Sequence, residues 1–77
     1  MESVSGYSGL TEGQKNLFDA TYKRHLASME LEARKDYSEN HIVKIVPEIS
    51  IVKVYFANGE RYIYMEESKE NKWLKIP

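Results

Sequence analysis

The chain has 77 residues, of which 42% are hydrophobic and 30% charged, a composition typical of one small globular domain. It contains no cysteine, which excludes disulfides, cysteine nucleophiles and cysteine-ligated zinc. The formal net charge is −1, which argues against a nucleic-acid partner because nucleic-acid binders usually carry a basic excess.

The first ten residues, MESVSGYSGL, are rich in Ser and Gly and are predicted to form a flexible N-terminal arm over 1–10. They lack the apolar core of a signal peptide, and no apolar run approaches the ~20 residues of a transmembrane helix. A small secreted domain usually also needs disulfides. We therefore expect a cytoplasmic protein without a membrane partner, folded as a single domain over 11–77.

A long helix is predicted over residues 12–36. Thr11 and Gln14 have the spacing of a capping box, in which each side chain bonds a free amide of the first turn. Apolar and aromatic residues then recur at steps of three and four, which is the period of a helix face packed on a core. They are Phe18, Tyr22, His25, Leu26, Met29 and Ala33.

A second apolar group lies roughly opposite this stripe and consists of Leu17, Ala20, Ala27 and Leu31. Isolated Leu and Ala residues on a solvated helix face are common and need no explanation. Alternatively, the small alanines allow a partner helix to approach closely. The predicted helix is also longer than the strands, ~37 Å against ~23 Å. The overhang is then solvated, kinked or covered by another chain, and the last alternative is a homodimer.

β-branched and aromatic residues dominate the rest of the chain and predict strands at about 41–46, 51–57, 60–66 and 72–76. The connections are short, so neighbouring strands should pair antiparallel. We expect an α+β fold, in which one long N-terminal helix packs on one face of a three- or four-stranded antiparallel meander sheet.

The dipeptide Asn58-Gly59 predicts a two-residue hairpin turn, and this turn predicts the pairing of the central strands. The face toward the helix would hold Val43, Ile45, Val52, Val54, Phe56, Ile63, Met65, Leu74 and Ile76. The opposite face would hold Ile42 and a group of aromatic and basic residues. That group is Lys44, Lys53, Tyr55, Tyr62, Tyr64, Trp73 and Lys75.

Two interpretations of this aromatic face stay open. Tyrosine fits the pleated surface of a strand well, which explains the tyrosines without any function. Tyr and Trp are also enriched at protein interfaces, and four exposed aromatic rings would form a large patch for a monomer. We predict a small non-catalytic protein-interaction module that binds a protein partner, or a second copy of itself, through this face or the second helix face.

Single-stranded nucleic acid is the alternative partner, because aromatic sheet faces stack bases and flanking lysines contact phosphates. No catalytic residue, metal site or cofactor is predicted. His25 belongs to the core stripe and His41 opens a strand, with no metal-binding spacing between them. None of the serines has the sequence context of a nucleophile.

Overall fold

The computed structural model describes residues 4–77, so residues 1–3 of the predicted arm lie outside the described part of the chain. Helix α1 (Glu12–Ala27) is followed by a short helix α2 (Leu31–Arg34) and two 3-10 turns (Lys35–Tyr37 and Glu39–His41). Four strands follow: β1 (Ile42–Glu48), β2 (Ile51–Phe56), β3 (Arg61–Glu67) and β4 (Glu70–Ile76).

The strands form one antiparallel sheet in the order β1-β2-β3-β4. Helix α1 packs on one face of this sheet, against β2, β3 and β4. The predicted α+β fold is confirmed, with residues 70–76 forming the fourth strand. Within the described residues, no helix is both long enough and apolar enough to span a lipid bilayer.

Helix α1 begins with the predicted capping box and ends earlier than predicted. The Thr11 hydroxyl accepts the Gln14 N–H at 3.1 Å, and the Gln14 side chain accepts the Thr11 N–H at 2.8 Å. The helix stops at Ala27 because the Ser28 hydroxyl donates to the His25 carbonyl at 2.6 Å, a local bond that competes with helix continuation. The predicted helix 12–36 is therefore interrupted before α2.

The N-terminal segment 4–10 is part of the core rather than the predicted flexible arm. Val4, Tyr7 and Leu10 are 5%, 5% and 6% exposed. The Tyr7 ring meets Phe18 edge to face at 5.9 Å, and its hydroxyl donates to Asp19 at 2.8 Å. This segment covers part of the sheet face that α1 leaves open, because it packs against Ile45 of β1.

The central hairpin uses a three-residue loop instead of the predicted two-residue turn. The Phe56 N–H donates to the Glu60 carbonyl at 2.9 Å, and Gly59 has a positive φ of 90°. This geometry is a turn followed by a glycine bulge. Val54 therefore pairs with Tyr62, one residue out of the predicted register, and every side chain of β3 changes face.

The new register reverses the predicted faces of β3 and β4, and an irregularity in β1 changes the start of that strand. In β3, Tyr62 and Tyr64 face α1, whereas Ile63 and Met65 face away. Leu74 and Ile76 follow Ile63 and Arg61 to the side away from α1. In β1, an irregularity between Ile42 and Lys44 leaves Ile42 buried and Val43 53% exposed, the reverse of the prediction.

The resulting core lies between α1, the N-terminal segment and the sheet. Its buried apolar side chains are Val4, Tyr7, Leu10, Phe18, Tyr22, Ile42, Ile45, Val52, Val54, Phe56 and Tyr64. Phe18 is its centre, since it stacks on Tyr22 at 5.4 Å and contacts Tyr64 at 5.7 Å. A 77-residue chain can bury only a small core. Large aromatic rings from α1 and from the sheet add to the apolar area that this core buries.

Candidate binding face of the sheet

The aromatic face predicted from the sequence is divided between the two sides of the sheet. Tyr62, Tyr64, Trp73 and Lys75 lie on the side of α1. Tyr55, Lys53 and Lys44 lie on the opposite side. The structure therefore does not bring the seven predicted partner-binding residues together on one surface.

The side chains on the helix side surround His25, which is 2% exposed. Its ring centroid lies 4.3 Å from that of Tyr62 and 5.3 Å from that of Trp73, which stacks on it. Its Nδ1 lies 2.8 Å from the Tyr64 hydroxyl oxygen. Burial lowers the pKa of His25 to about 4, against an opposing effect of the Glu60 charge, so the imidazole is neutral at pH 7.

Glu60 organises a second group of polar contacts beside this cluster. Its Oε1 accepts hydrogen bonds from the Tyr37 hydroxyl and, at 3.0 Å, from the Tyr62 hydroxyl. Its Oε2 pairs with Lys75 Nζ at 2.8 Å. Hydrogen bonds from Lys75 and then Tyr37 lower the pKa of Glu60 to about 2. Lys75, Tyr37 and Tyr62 are therefore bonded to Glu60, with the Lys75 side chain still exposed.

The opposite side of the sheet, here called the outer face, presents its side chains in four rows across the strands. The first row is Lys44, Tyr55, Arg61 and Ile76, and the second is Val46, Lys53, Ile63 and Leu74. The third is Glu48, Ile51, Met65 and Lys72, and the fourth is Glu67 and Glu70.

Apolar side chains form the middle of the outer face. Leu74 is 54% exposed, and its neighbours Ile63 and Met65 are half-buried only by the adjacent strands. Helix α1 lies on the other side of the sheet and does not cover them. Within one chain, these side chains therefore remain in contact with water.

Charged side chains border this apolar centre and have contacts within the chain. Arg61 Nη2 donates to the Pro77 carbonyl oxygen at 2.5 Å. Lys53 pairs with Glu48 at 3.1 Å and Lys72 pairs with Glu67 at 2.9 Å. Lys44 Nζ lies 4.5 Å from the centre of the Tyr55 ring. Exposed pairs of this kind contribute only about 0–1 kcal/mol, so they can exchange for contacts with another molecule.

The second predicted helix face does not form a continuous surface. Leu17 is partly buried against the core, whereas Ala27 is exposed at the end of α1. Leu31 belongs to α2, beyond the break, and is 74% exposed. Ala20 lies on an open groove of about 580 Å³ between the first turns of α1 and the end of the sheet.

Sequence reasoning missed the roles of His25 and Glu60. The role of His25 depends on Tyr64, which is 39 positions away, and that of Glu60 depends on the hairpin register. In residues 4–77, no group of three His, Asp or Glu side chains is placed to hold a metal ion.

Comparison with protein-family models, curated proteins and solved structures gives no match for this chain.

Proposed function

We propose that this chain is a small protein-interaction module without catalytic activity of its own, and that the outer face is its binding surface. The observation that supports this proposal is the uncovered apolar centre formed by Ile63, Met65 and Leu74. Leu74 is exposed and Ile63 and Met65 are half-buried, and large apolar patches rimmed by polar residues mark protein interaction sites.

The anatomy of the outer face also supports a protein partner. Protein interfaces commonly combine an apolar centre with a polar and charged border, which is the arrangement of Ile63 and Leu74 among Lys53, Arg61 and Lys72. Burial of apolar surface stabilises a complex by about 25 cal/mol per Å² before the costs of association are subtracted.

The polar clusters on the helix side support a structural role better than a catalytic one. His25 is neutral, enclosed by aromatic rings and in contact with Tyr64 through Nδ1. Glu60 is held as a carboxylate by Lys75 and two tyrosine hydroxyls. A general acid or base must reach a substrate proton within hydrogen-bond distance. Here His25 contacts Tyr64, and Glu60 contacts Lys75 and the two tyrosines.

Single-stranded nucleic acid, the alternative partner, has less support on the outer face. Stacking of successive bases needs several exposed aromatic rings. Tyr62, Tyr64 and Trp73 pack on the helix side, and only Tyr55 of the predicted aromatic group lies on the outer face.

Site-specific photo-crosslinking tests the proposed function. A benzoylphenylalanine at position 74 samples the outer face, and the same residue at position 31 samples an exposed leucine of α2 as the matched control. We expect discrete protein adducts from position 74 in cells that express the chain, and not from position 31. The same adducts from both positions, or none from position 74, would contradict the proposal.

A further inference from the structure

We infer that the partner of the outer face is a second copy of this chain, packed face to face with its strands antiparallel to those of the first. This inference rests on the proposed function and adds the identity of the partner. It is carried by the distribution of charge over the four rows of the outer face.

The two halves of the outer face carry opposite charge. The first and second rows hold three basic residues and no acidic one: Lys44, Lys53 and Arg61. The third and fourth rows hold three acidic residues and one basic one: Glu48, Glu67, Glu70 and Lys72. One end of the face is therefore basic and the other is acidic.

Homodimers commonly have two-fold symmetry, in which both copies use the same surface patch. If one residue contacts a second residue of the other copy, the reciprocal contact also forms. A two-fold axis parallel to the strands would set the first row against the first row and bring the basic halves together. An axis across the strands sets the first row against the fourth and the second against the third. Charge complementarity therefore selects the axis across the strands.

On β3, the selected axis gives two specific contacts. Arg61 of one copy opposes Glu67 of the second copy, and the same pair forms again in the other direction. Between these two pairs, Ile63 of one copy opposes Met65 of the second. On this strand, Ile63 and Met65 thus lie between two ion pairs.

The size of the outer face suits such a dimer. Four strands ~4.8 Å apart and four rows ~6.7 Å apart span roughly 19 by 27 Å, or about 500 Å² in projection. Side-chain relief makes the accessible area larger than the projection, and standard interfaces bury about 800 Å² per partner. Facing sheets pack with their strands within about 30° of each other, which keeps Arg61 in reach of Glu67 or Glu70.

The first part of the test measures molecular mass by sedimentation equilibrium over a range of concentrations. We expect a reversible dimer for the natural chain. The double variant Ile63→Thr/Leu74→Thr keeps strand-favouring residues but removes apolar surface, and it should be monomeric. Leu31→Thr, in α2, is the control and should dimerise like the natural chain.

The second part reverses charge at the predicted contact. Arg61→Glu gives two Glu–Glu contacts in its homodimer, and Glu67→Arg gives two Arg–Arg contacts, so each should weaken dimerisation about tenfold or more at low salt. An equal mixture of the two variants restores two opposite-charge pairs. We therefore expect it to form a heterodimer with an affinity within a few-fold of the natural homodimer.

The outcomes separate the inference from the proposed function. A natural chain that stays monomeric, or charge variants that dimerise normally, would overturn the second copy as partner in this orientation. In that case, crosslinked adducts at position 74 with a mass other than twice that of the chain would still support a protein-binding outer face. Circular dichroism spectra of all variants verify that each one is folded.

Discussion

The Nδ1 atom of His25 in α1 lies 2.8 Å from the hydroxyl oxygen of Tyr64 in β3, and both side chains are buried. This contact joins the helix to the sheet by a polar interaction inside a mostly apolar layer. A buried polar group without a partner costs about 1–3 kcal/mol. The register that places Tyr64 in the core gives the buried His25 a partner, and this favours the observed register of β3. The contact thereby helps to decide which residues form the outer face.

The first prediction concerns acid sensitivity. Burial lowers the pKa of His25 from 6.5 to about 4, so between these values the unfolded chain binds a proton that the folded chain does not. The free energy of unfolding should therefore be highest above pH 6.5 and should decrease as the pH falls from 6.5 toward 4. The expected loss at pH 5, relative to pH 7, is about 2 kcal/mol, measured by urea unfolding.

The variant His25→Gln is the control for this pH dependence, because glutamine is neutral at every pH of the series. It should lower stability at pH 7 but remove most of the slope between pH 7 and 5. Glu60, whose pKa is lowered from 4.5 to about 2, contributes its own loss only below pH 4.5. An equal slope in both proteins would show that His25 is not the group responsible.

The second prediction concerns the Tyr64 hydroxyl. Tyr64→Phe keeps the ring but leaves the buried His25 Nδ1 without its partner, and it should lower the free energy of unfolding by about 1–2 kcal/mol. Tyr55→Phe, on the outer face, should change it by less than about 0.5 kcal/mol. A Tyr64→Phe variant as stable as the natural chain would show that the His25–Tyr64 contact does not stabilise the fold.

The third prediction concerns the N-terminal segment. Gly6 has a φ of +88°, and a Cβ at this position would lie 2.9 Å from the Ile45 carbonyl oxygen. Gly6→Ala should therefore destabilise the fold by about 2 kcal/mol or more, through both backbone strain and a clash. Thermal unfolding, followed by circular dichroism, measures this difference.

Gly13→Ala is the matched control for Gly6→Ala. Gly13 lies in the first turn of α1, and a Cβ there would meet no atom within 4 Å. Alanine favours the helix over glycine by about 0.5–1 kcal/mol, so the control should be slightly stabilised. A Gly6→Ala variant as stable as the natural chain would mean that segment 4–10 does not pack on β1.

The fold class, the start of α1 and the order of the strands follow from local patterns in the sequence. Thr11 and Gln14 form the capping box that their spacing predicts, and the strands are rich in β-branched and aromatic residues. Val4, Tyr7 and Leu10 recur at steps of three, and all three are buried. The Ser and Gly residues between them led to the prediction of a flexible arm instead.

The faces of β2 follow from the sequence, since Val52, Val54 and Phe56 lie in the core as predicted. Those of β3 and β4 could not be predicted, because β3 has apolar or aromatic residues on both sides. Tyr62 and Tyr64 alternate with Ile63 and Met65, so neither register exposes only polar residues. Ala57-Asn58-Gly59 is compatible with a two- or three-residue loop. His25 as a buried partner for Tyr64 favours the observed choice, and this long-range contact is not visible in the sequence.

Radical footprinting tests most directly the central claim that a second copy covers the outer face. Hydroxyl-radical oxidation of Met65, Leu74 and Leu31 is measured by mass spectrometry on dilute and on concentrated protein. We predict that Met65 and Leu74 are protected at high concentration, whereas Leu31, which is exposed in α2, reacts equally at both. Protection of Leu31 alone, or no dependence on concentration at Met65 and Leu74, would contradict the claim.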